Sequence, residues 1–283
     1  MLRIKFCGGR QFSASKSPPS CSCKTLVAIT GRYERFRMTI YKYQTIDKYF
    51  WKNLIKKQLW FSSPKNFDDD FDSLLPVDTN MPKGEIESFL RLSWQLNFKT
   101  QVGFEVALGR AVAALASNHD MRRNFFYSLI DNHVDENIAI TCFSNDLKNR
   151  TLWGKYADKG TGVCFGFEPS FDKEYFKNLE NVNYTETLPK VRMDINTFDE
   201  RIKEFVTTKY VQWSNQGETR LFRTKVGAYI FNPVSLTRII FGTRISKQHK
   251  EKIISIGLLT NSEIEFFQLE KDRENGEYKV TTI

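Results

Sequence analysis

Residues 137–144 read NIAITCFS. Apolar side chains at Ile138, Ala139, Ile140, Cys142 and Phe143 leave neither face of an extended segment polar. A strand of that kind is buried on both sides, so the pattern predicts a central strand of a sheet. TGVCFGF at 161–167 repeats the signal. Downstream, ETRLFR (218–223), AYIF (228–231) and LTRIIFG (236–242) continue it; a helix follows near 246–257, then the strand-like EIEFFQL (263–269) and EYKVTT (277–282). A further helix is expected over 197–210.

Upstream, the period changes. Phe89, Leu92 and Leu96, then Val106, Ala107, Ala111, Ala114 and Leu115, recur every three to four residues, which predicts a mainly helical block over 85–132. Gly103 and the stretch Ser117-Asn118-His119-Asp120 are its expected breaks. Earlier still, IYKYQ (40–44) reads as a short strand. DKYFWKNLIKK (47–57) reads as a helix with Asp47 as its N-cap, and LWFSSP as a second strand stopped by Pro64. The loop NFDDDFDSLLPVDTNMPKG (66–84) is rich in turn formers. A strand pair, a helical block and then a run of strands is an α+β order rather than alternating βαβ.

Composition narrows the function. Hydrophobic residues make up 41% and charged residues 27% of 283, the balance of a globular chain. The net charge of +9 suggests a polyanionic partner until it is located. Residues 1–37 hold eight Lys/Arg and one acid, whereas the other 246 hold 34 basic and 32 acidic side chains. The basicity therefore belongs largely to an Arg/Ser-rich leader with no apolar h-region. That leader, 1–37, is expected to be disordered or a mis-annotated extension, with a single domain over 38–283 beginning at Met38. No run of 18 apolar residues predicts a membrane span. Cys142 and Cys164 lie in apolar strands, no CxxC pair occurs, and His119, His133 and His249 lack ligand spacing, so neither a metal site nor a disulfide framework is expected. A reducing cytoplasm is the expected compartment. No GxGxxG or GxxxxGK[ST] follows a strand, which argues against Rossmann and P-loop nucleotide sites.

Four segments carry chemistry-bearing residues. They are Tyr41-Lys42-Tyr43-Gln44 with its following NFDDDFD loop; Cys142-Phe143-Ser144 with Leu152-Trp153-Gly154-Lys155-Tyr156-Ala157 and Gly162-Val163-Cys164; Val182-Asn183-Tyr184; and Trp213-Ser214-Asn215-Gln216-Gly217-Glu218-Thr219-Arg220. In order and spacing they resemble a widespread, largely uncharacterised bacterial family. Its members open with a Tyr-basic-Tyr strand, carry an "fNDPFD"-like loop, then "WxxYA…Gxc", a "vxY" strand and a closing "WxxExExR". The resemblance spans about Ile40 to Gly242. NFDDDFD stands for NDPFD, and Gln216 replaces the first Glu of the last motif.

The layout also resembles the ADP-ribosyltransferases, which carry a His or Arg on the first strand, a Ser or Tyr on a middle strand and a Q/E-x-E later. Lys42, Ser144 and Gln216-Gly217-Glu218 occupy those places, and Lys42 in place of His or Arg leaves the transferase class open. The resemblance implies a split β-sheet core with an inserted helical block and NAD as substrate. It also implies a macromolecular acceptor, nucleic acid (RNA) favoured over protein, and an antitoxin protein as a partner if the chain is a toxin or phage-defence effector. Glu218 would steady an oxocarbenium-like ribose, and Gln216, with Arg220, would meet the acceptor. Lys42, flanked by Tyr41 and Tyr43, would neutralise the pyrophosphate. Ser144 would hold the ribose, and Trp153 and Tyr156 would stack on a base.

The plainer alternatives are a solvent-facing Glu218–Arg220 pair, core aromatics at 153 and 156, and a Ser144 turn cap. The Asp68–Asp72 run reads as a solvated loop pinned by Phe67 and Phe71, or as a divalent-metal site of a nuclease. A non-catalytic binding module of the same fold is the other alternative. Basic clusters at Arg122-Arg123, Lys148 to Arg150 and Arg238 to Lys252 favour a nucleic-acid acceptor.

Overall fold

A computed structural model describes residues 38–69, 71–98, 103–193 and 195–283. The 1–37 leader and Asp70 lie outside the described residues, as do the side chains of Leu92 and Leu96.

The described residues open with β1 (Ile40–Gln44), α1 (Lys48–Lys56) and β2 (Gln58–Phe61). Asp47 accepts from the Phe50 amide at 2.7 Å, satisfying one free donor of the first turn of α1, a cap worth about 1 kcal/mol. After a short β3 (Val77–Asp78) comes the helical block: α2 (Lys83–Phe98), α3 (Phe104–Ser117) and α4 (His119–Asn137). Gly103 starts α3, and Asn118 separates α3 from α4 while capping α4 through Met121 N. The two expected breaks are thus the two helix junctions.

β4 (Ala139–Ser144), α5 (Arg150–Lys155) and β5 (Val163–Phe167) follow. Short strands β6 (Leu179–Asn181), β7 (Asn183–Thr185) and β8 (Val191–Arg192) lead to α6 (Phe198–Thr207). The expected helix to 210 stops early, because Thr208–Tyr210 forms β9 against β7. β10 (Glu218–Arg223), β11 (Gly227–Ile230), β12 (Leu236–Phe241), α7 (Lys247–Thr260), β13 (Glu265–Asp272) and β14 (Glu277–Thr282) complete the chain.

The fold is mixed α+β around one eight-stranded mixed sheet, ordered β14-β13-β12-β5-β1-β4-β10-β6. Its one parallel pair, β12 with β13, is joined by α7. One face packs on α1, β2 and β11 through Phe50, Phe61, Phe143, Phe165 and Phe167. The helical block packs through a second cluster that includes Phe126, Ile130, Phe205 and Ile140. A third, smaller cluster holds Tyr41, Tyr43, Trp153 and Cys164. The Phe-rich composition therefore goes into the two sides of the sheet.

The middle of the sheet is where the site forms. β1 pairs with β5 from Ile40↔Phe167 to Gln44↔Val163, but with β4 only at Tyr41↔Ser144. Beyond that point the two strands part. The freed edge of β4 still needs partners, because buried backbone polar groups left unpaired are costly. Ile140 exchanges two backbone bonds with Ser62 at 2.8 and 3.0 Å. The Cys142 carbonyl accepts from Lys42 Nζ at 2.9 Å. A lysine side chain thus stands where the neighbouring strand's amide would be.

The start of β1's other partner is set by Gly162. A Cβ there would lie 2.2 Å from Gln44 O and 3.0 Å from Ala157 Cα, both backbone atoms. The glycine of the W-x-x-Y-A…G-V-C segment thus lets the turn after α5 close on β1. Gly162→Ala is expected to lower stability by about 2–3 kcal/mol through overpacking that no rotamer relieves. Urea unfolding checks this; an unchanged midpoint contradicts the close approach.

Candidate active site

The parted strands open into a cleft of about 910 Å³. Its walls include Lys42, Thr141, Cys142, Gln216 and Glu218, with Tyr49, Trp60, Tyr156 and Trp213 around them. That size suits a ligand larger than a single sugar or base.

Glu218 is the first residue of β10. The preceding 211–216 segment is a 3₁₀ turn that ends at Gly217, φ +50° and ψ +48°. A Cβ on Gly217 would lie 2.0 Å from Asn145 Oδ1, so both the left-handed backbone and the contact call for glycine. Gln216 and Glu218 therefore do not lie two apart on one extended strand. They meet instead at a shared cation, Lys209, whose Nζ donates to Gln216 Oε1 at 3.3 Å and to Glu218 Oε2 at 2.7 Å. The Glu218 backbone is fixed on both sides: its amide donates to Tyr184 Oη at 2.9 Å, and its carbonyl accepts from Val182 N at 3.0 Å.

Four charges close a buried ring. Arg220 donates through Nε to Glu218 Oε1 at 2.8 Å and through Nη2 to Asp72 Oδ2 at 2.7 Å. Lys209 Nζ reaches the same Asp72 oxygen at 2.9 Å. Arg220 also donates to the Val206 carbonyl and lies over the Phe67 ring, and its side chain is 0% exposed. Asp72 is 4% exposed at its side chain. Two acids and two bases thus neutralise one another out of water, the condition under which a buried charge is tolerated.

The ring sets the ionisation of Glu218. Burial pushes its carboxyl up, but Arg220 and Lys209 outweigh burial and hold it at about 2. At neutral pH it is a permanent anion, suited to steadying positive charge and accepting from a hydroxyl rather than donating a proton. Lys209 is held above its ordinary value because the Glu218 and Asp72 carboxylates overcome its burial. Burial pushes the Cys142 thiol up, and the nearby Glu218 anion adds to it, so Cys142 stays a neutral thiol.

Lys42 differs. Burial lowers its ammonium, and Cys142 and Glu218 offset this only in part. Its Nζ bonds the Cys142 carbonyl and lies 5.9 Å from the Phe143 ring centroid, with no ion pair to a described residue. Its amino group stands in the cleft wall with donors to spare for an anion, whose charge would favour the ammonium form.

The cleft collects Tyr41, Lys42, Tyr43, Ser144, Tyr156, Gln216 and Glu218. Several of these are already engaged. Ser144 donates to the Gln216 carbonyl at 2.6 Å and accepts from Asp146 N at 3.1 Å, so it pins the turn beside Glu218. Tyr41 and Tyr43 belong to the third core cluster, and Tyr43 donates to the Asp146 carbonyl. Tyr156 stands exposed at the rim.

Two expectations are corrected. Trp153 is buried, donates Nε1 to the Leu147 carbonyl at 2.8 Å and packs edge-on against Tyr43, so it supports β1 rather than a ligand. Arg220 is wholly enclosed behind Glu218 and is a positioning residue rather than a substrate contact. The solvent-facing reading of the Glu218–Arg220 pair fails for the same reason.

Two participants escaped the sequence reading. Asp72, expected within a solvated acidic run, closes the NFDDDFD loop onto Arg220, and its carboxylate is engaged by Arg220 and Lys209. Of the two aromatic pins expected for that loop, Phe67 packs inward whereas Phe71 is exposed. Lys209 gave no signal at all. Its position follows from β9 pairing with β7, where Lys209 lies opposite Tyr184.

Among the described residues no group of three or more His, Cys, Asp or Glu is arranged to hold a metal ion, and no helix is long and apolar enough to cross a membrane. No protein family, curated protein or solved structure matches the chain.

A carboxyl held at about 2 against the ordinary 4.5 contributes about 3 kcal/mol at neutral pH. Because the folded value is the lower one, that contribution is complete above about pH 5 and disappears as the pH falls toward 2. Glu218→Gln should therefore cost about 3–5 kcal/mol at pH 7, since two buried cations then share one carboxylate. It should also flatten the acid limb of stability. Urea titrations from pH 7 to 2 measure both; parallel profiles for the two proteins would refute the assignment.

Proposed function

We propose that this chain is an NAD-dependent ADP-ribosyltransferase with an ADP-ribosyltransferase-like split sheet. The observation that carries the reading is the pairing, in one cleft, of a permanently ionised Glu218 with the Lys42 amino group, which has no ion pair among the described residues. A molecule of NAD has a ribose that becomes cationic and a pyrophosphate that is anionic. Glu218 offers the opposite charge to the ribose, and the Lys42 amino group, which an adjacent anion would favour as ammonium, meets the pyrophosphate.

In the proposed reaction the bond between ribose C1′ and the nicotinamide nitrogen breaks, and its electron pair leaves with nicotinamide. Glu218 stabilises the resulting oxocarbenium-like ribose and accepts from a ribose hydroxyl. The acceptor nucleophile then bonds to C1′ and loses its proton to solvent water. Gln216, whose carbonyl oxygen is occupied by Lys209, keeps its amide NH₂ to orient that nucleophile. Tyr156, exposed at the rim, supplies a stacking surface. Arg220, Lys209 and Asp72 hold the Glu218 carboxylate in one geometry, so little reorganisation accompanies bond breaking.

Nucleic acid, with RNA favoured, is the acceptor we propose. The segment Asp47–Lys57 and the segment Arg244–Lys252 together carry eight Lys/Arg against two acids, whereas the rest of residues 38–283 carries 26 against 30. The two segments adjoin: Trp51 on α1 packs edge-on to His249, with Lys252 Nζ 4.1 Å from its ring centroid. Tyr49 and Lys52 of α1 lie on the cleft wall, so this basic face leads to the cleft mouth. A single strand recognised by cations and exposed aromatics fits such a face. The proposed setting is cytoplasmic, as a toxin or phage-defence effector restrained by an antitoxin protein.

Incubation with labelled NAD and RNA, DNA or lysate protein tests the reading. Label should pass to RNA, and Glu218→Gln, verified as folded, should lower the rate by about 10²–10³. Lys52→Glu combined with Lys247→Glu should weaken transfer to RNA and its salt dependence together. No transfer to any acceptor would count against an enzyme. A biological effect that survives Glu218→Gln would point to a non-catalytic binding module.

A further inference from the structure

Thr141 lies one residue before the carbonyl that Lys42 holds. It is 2% exposed, lines the cleft, and its Oγ1 has no hydrogen-bond partner among the described residues. A buried hydroxyl without a partner is unusual, because desolvation is then uncompensated.

Its neighbours indicate what would satisfy it. Side chains two apart on a strand share a face, so Thr141 projects on the side of Phe143, opposite Cys142 and Ser144. Lys42 Nζ lies over the Phe143 ring, on that same side. Glu218 of β10 pairs with Ser144 of β4, so it belongs to the other side. The parting of β1 from β4 joins the two sides into one cleft. An amino group with spare donors and a hydroxyl able to donate therefore converge on one face, and the carboxylate stands across the split. That pair of donors suits a phosphoryl oxygen.

We infer that Thr141 and Lys42 form an anion subsite for a phosphate of the bound nucleotide. The ligand then threads the split, with its diphosphate on the Thr141 face and its reacting ribose on the Glu218 face. The identity of the nucleotide rests on the transferase reading; the anion subsite does not.

The test exploits two effects of opposite sign. Thr141→Val keeps the shape and removes the orphan hydroxyl, so the free protein should unfold at an equal or higher urea concentration. The same substitution should weaken binding of ADP-ribose and of inorganic pyrophosphate about five- to tenfold by calorimetry. Lys42→Met should weaken both further. Unchanged affinity in Thr141→Val, a loss of stability in that variant, or no binding of either probe by the full-length protein overturns the subsite. ADP-ribose has no nicotinamide to lose, so its binding is independent of turnover. Binding that depends on Thr141 without label transfer from NAD would sink the transferase and leave the subsite standing.

Discussion

The structure turns on a ring of four charges removed from water. Glu218 and Asp72 face Arg220 and Lys209, and two of the four contacts, those of Asp72, connect segments far apart in sequence. Arg220 and Glu218 come from β10, Lys209 from the short strand after α6, and Asp72 from the loop after β2. Each acid accepts from both bases. A missing member leaves an uncompensated charge, a far larger penalty than the modest net gain of the intact set. The ring therefore specifies how the acidic loop, β9 and β10 sit together, and it keeps one carboxylate ionised at the wall of a cleft.

The cleft exists because the sheet is interrupted at its centre. β1 is fully paired on the β5 side and paired at one position on the β4 side. The backbone groups exposed by that interruption are met by Ser62 and Lys42 rather than by a strand. A side chain can yield to a ligand or share donors with it, whereas a strand cannot. The interruption thus exchanges some sheet regularity for a polar, deep and adaptable wall.

How far the sequence disclosed this depends on the range of the interactions. The helix α1 was legible because its cap, Asp47, and its apolar spacing are local. NIAITCFS was legible as a central strand because two-sided burial is written into its residues. Lys42, Gln216 and Glu218 were singled out, and they do share the cleft. Trp153 was misread because an aromatic on a short helix looks the same from sequence whether it faces a ligand or Tyr43. Thr208–Tyr210 reads as helix in the sequence because its strand partner, Asn183–Thr185, lies more than twenty residues away.

By itself, the sequence determined most of the element types, the α+β order, the junctions at Gly103 and Asn118, and a short roster of polar residues. These rest on periodicity, capping and turn chemistry, which act over a few residues. Only the tertiary structure decided that Asp72 is an ion-pair member rather than a solvated acid, that Lys209 belongs to the site, and that Arg220 stands behind Glu218. Those facts depend on which charges are brought together out of water, and burial is a property of the whole chain's packing rather than of any segment.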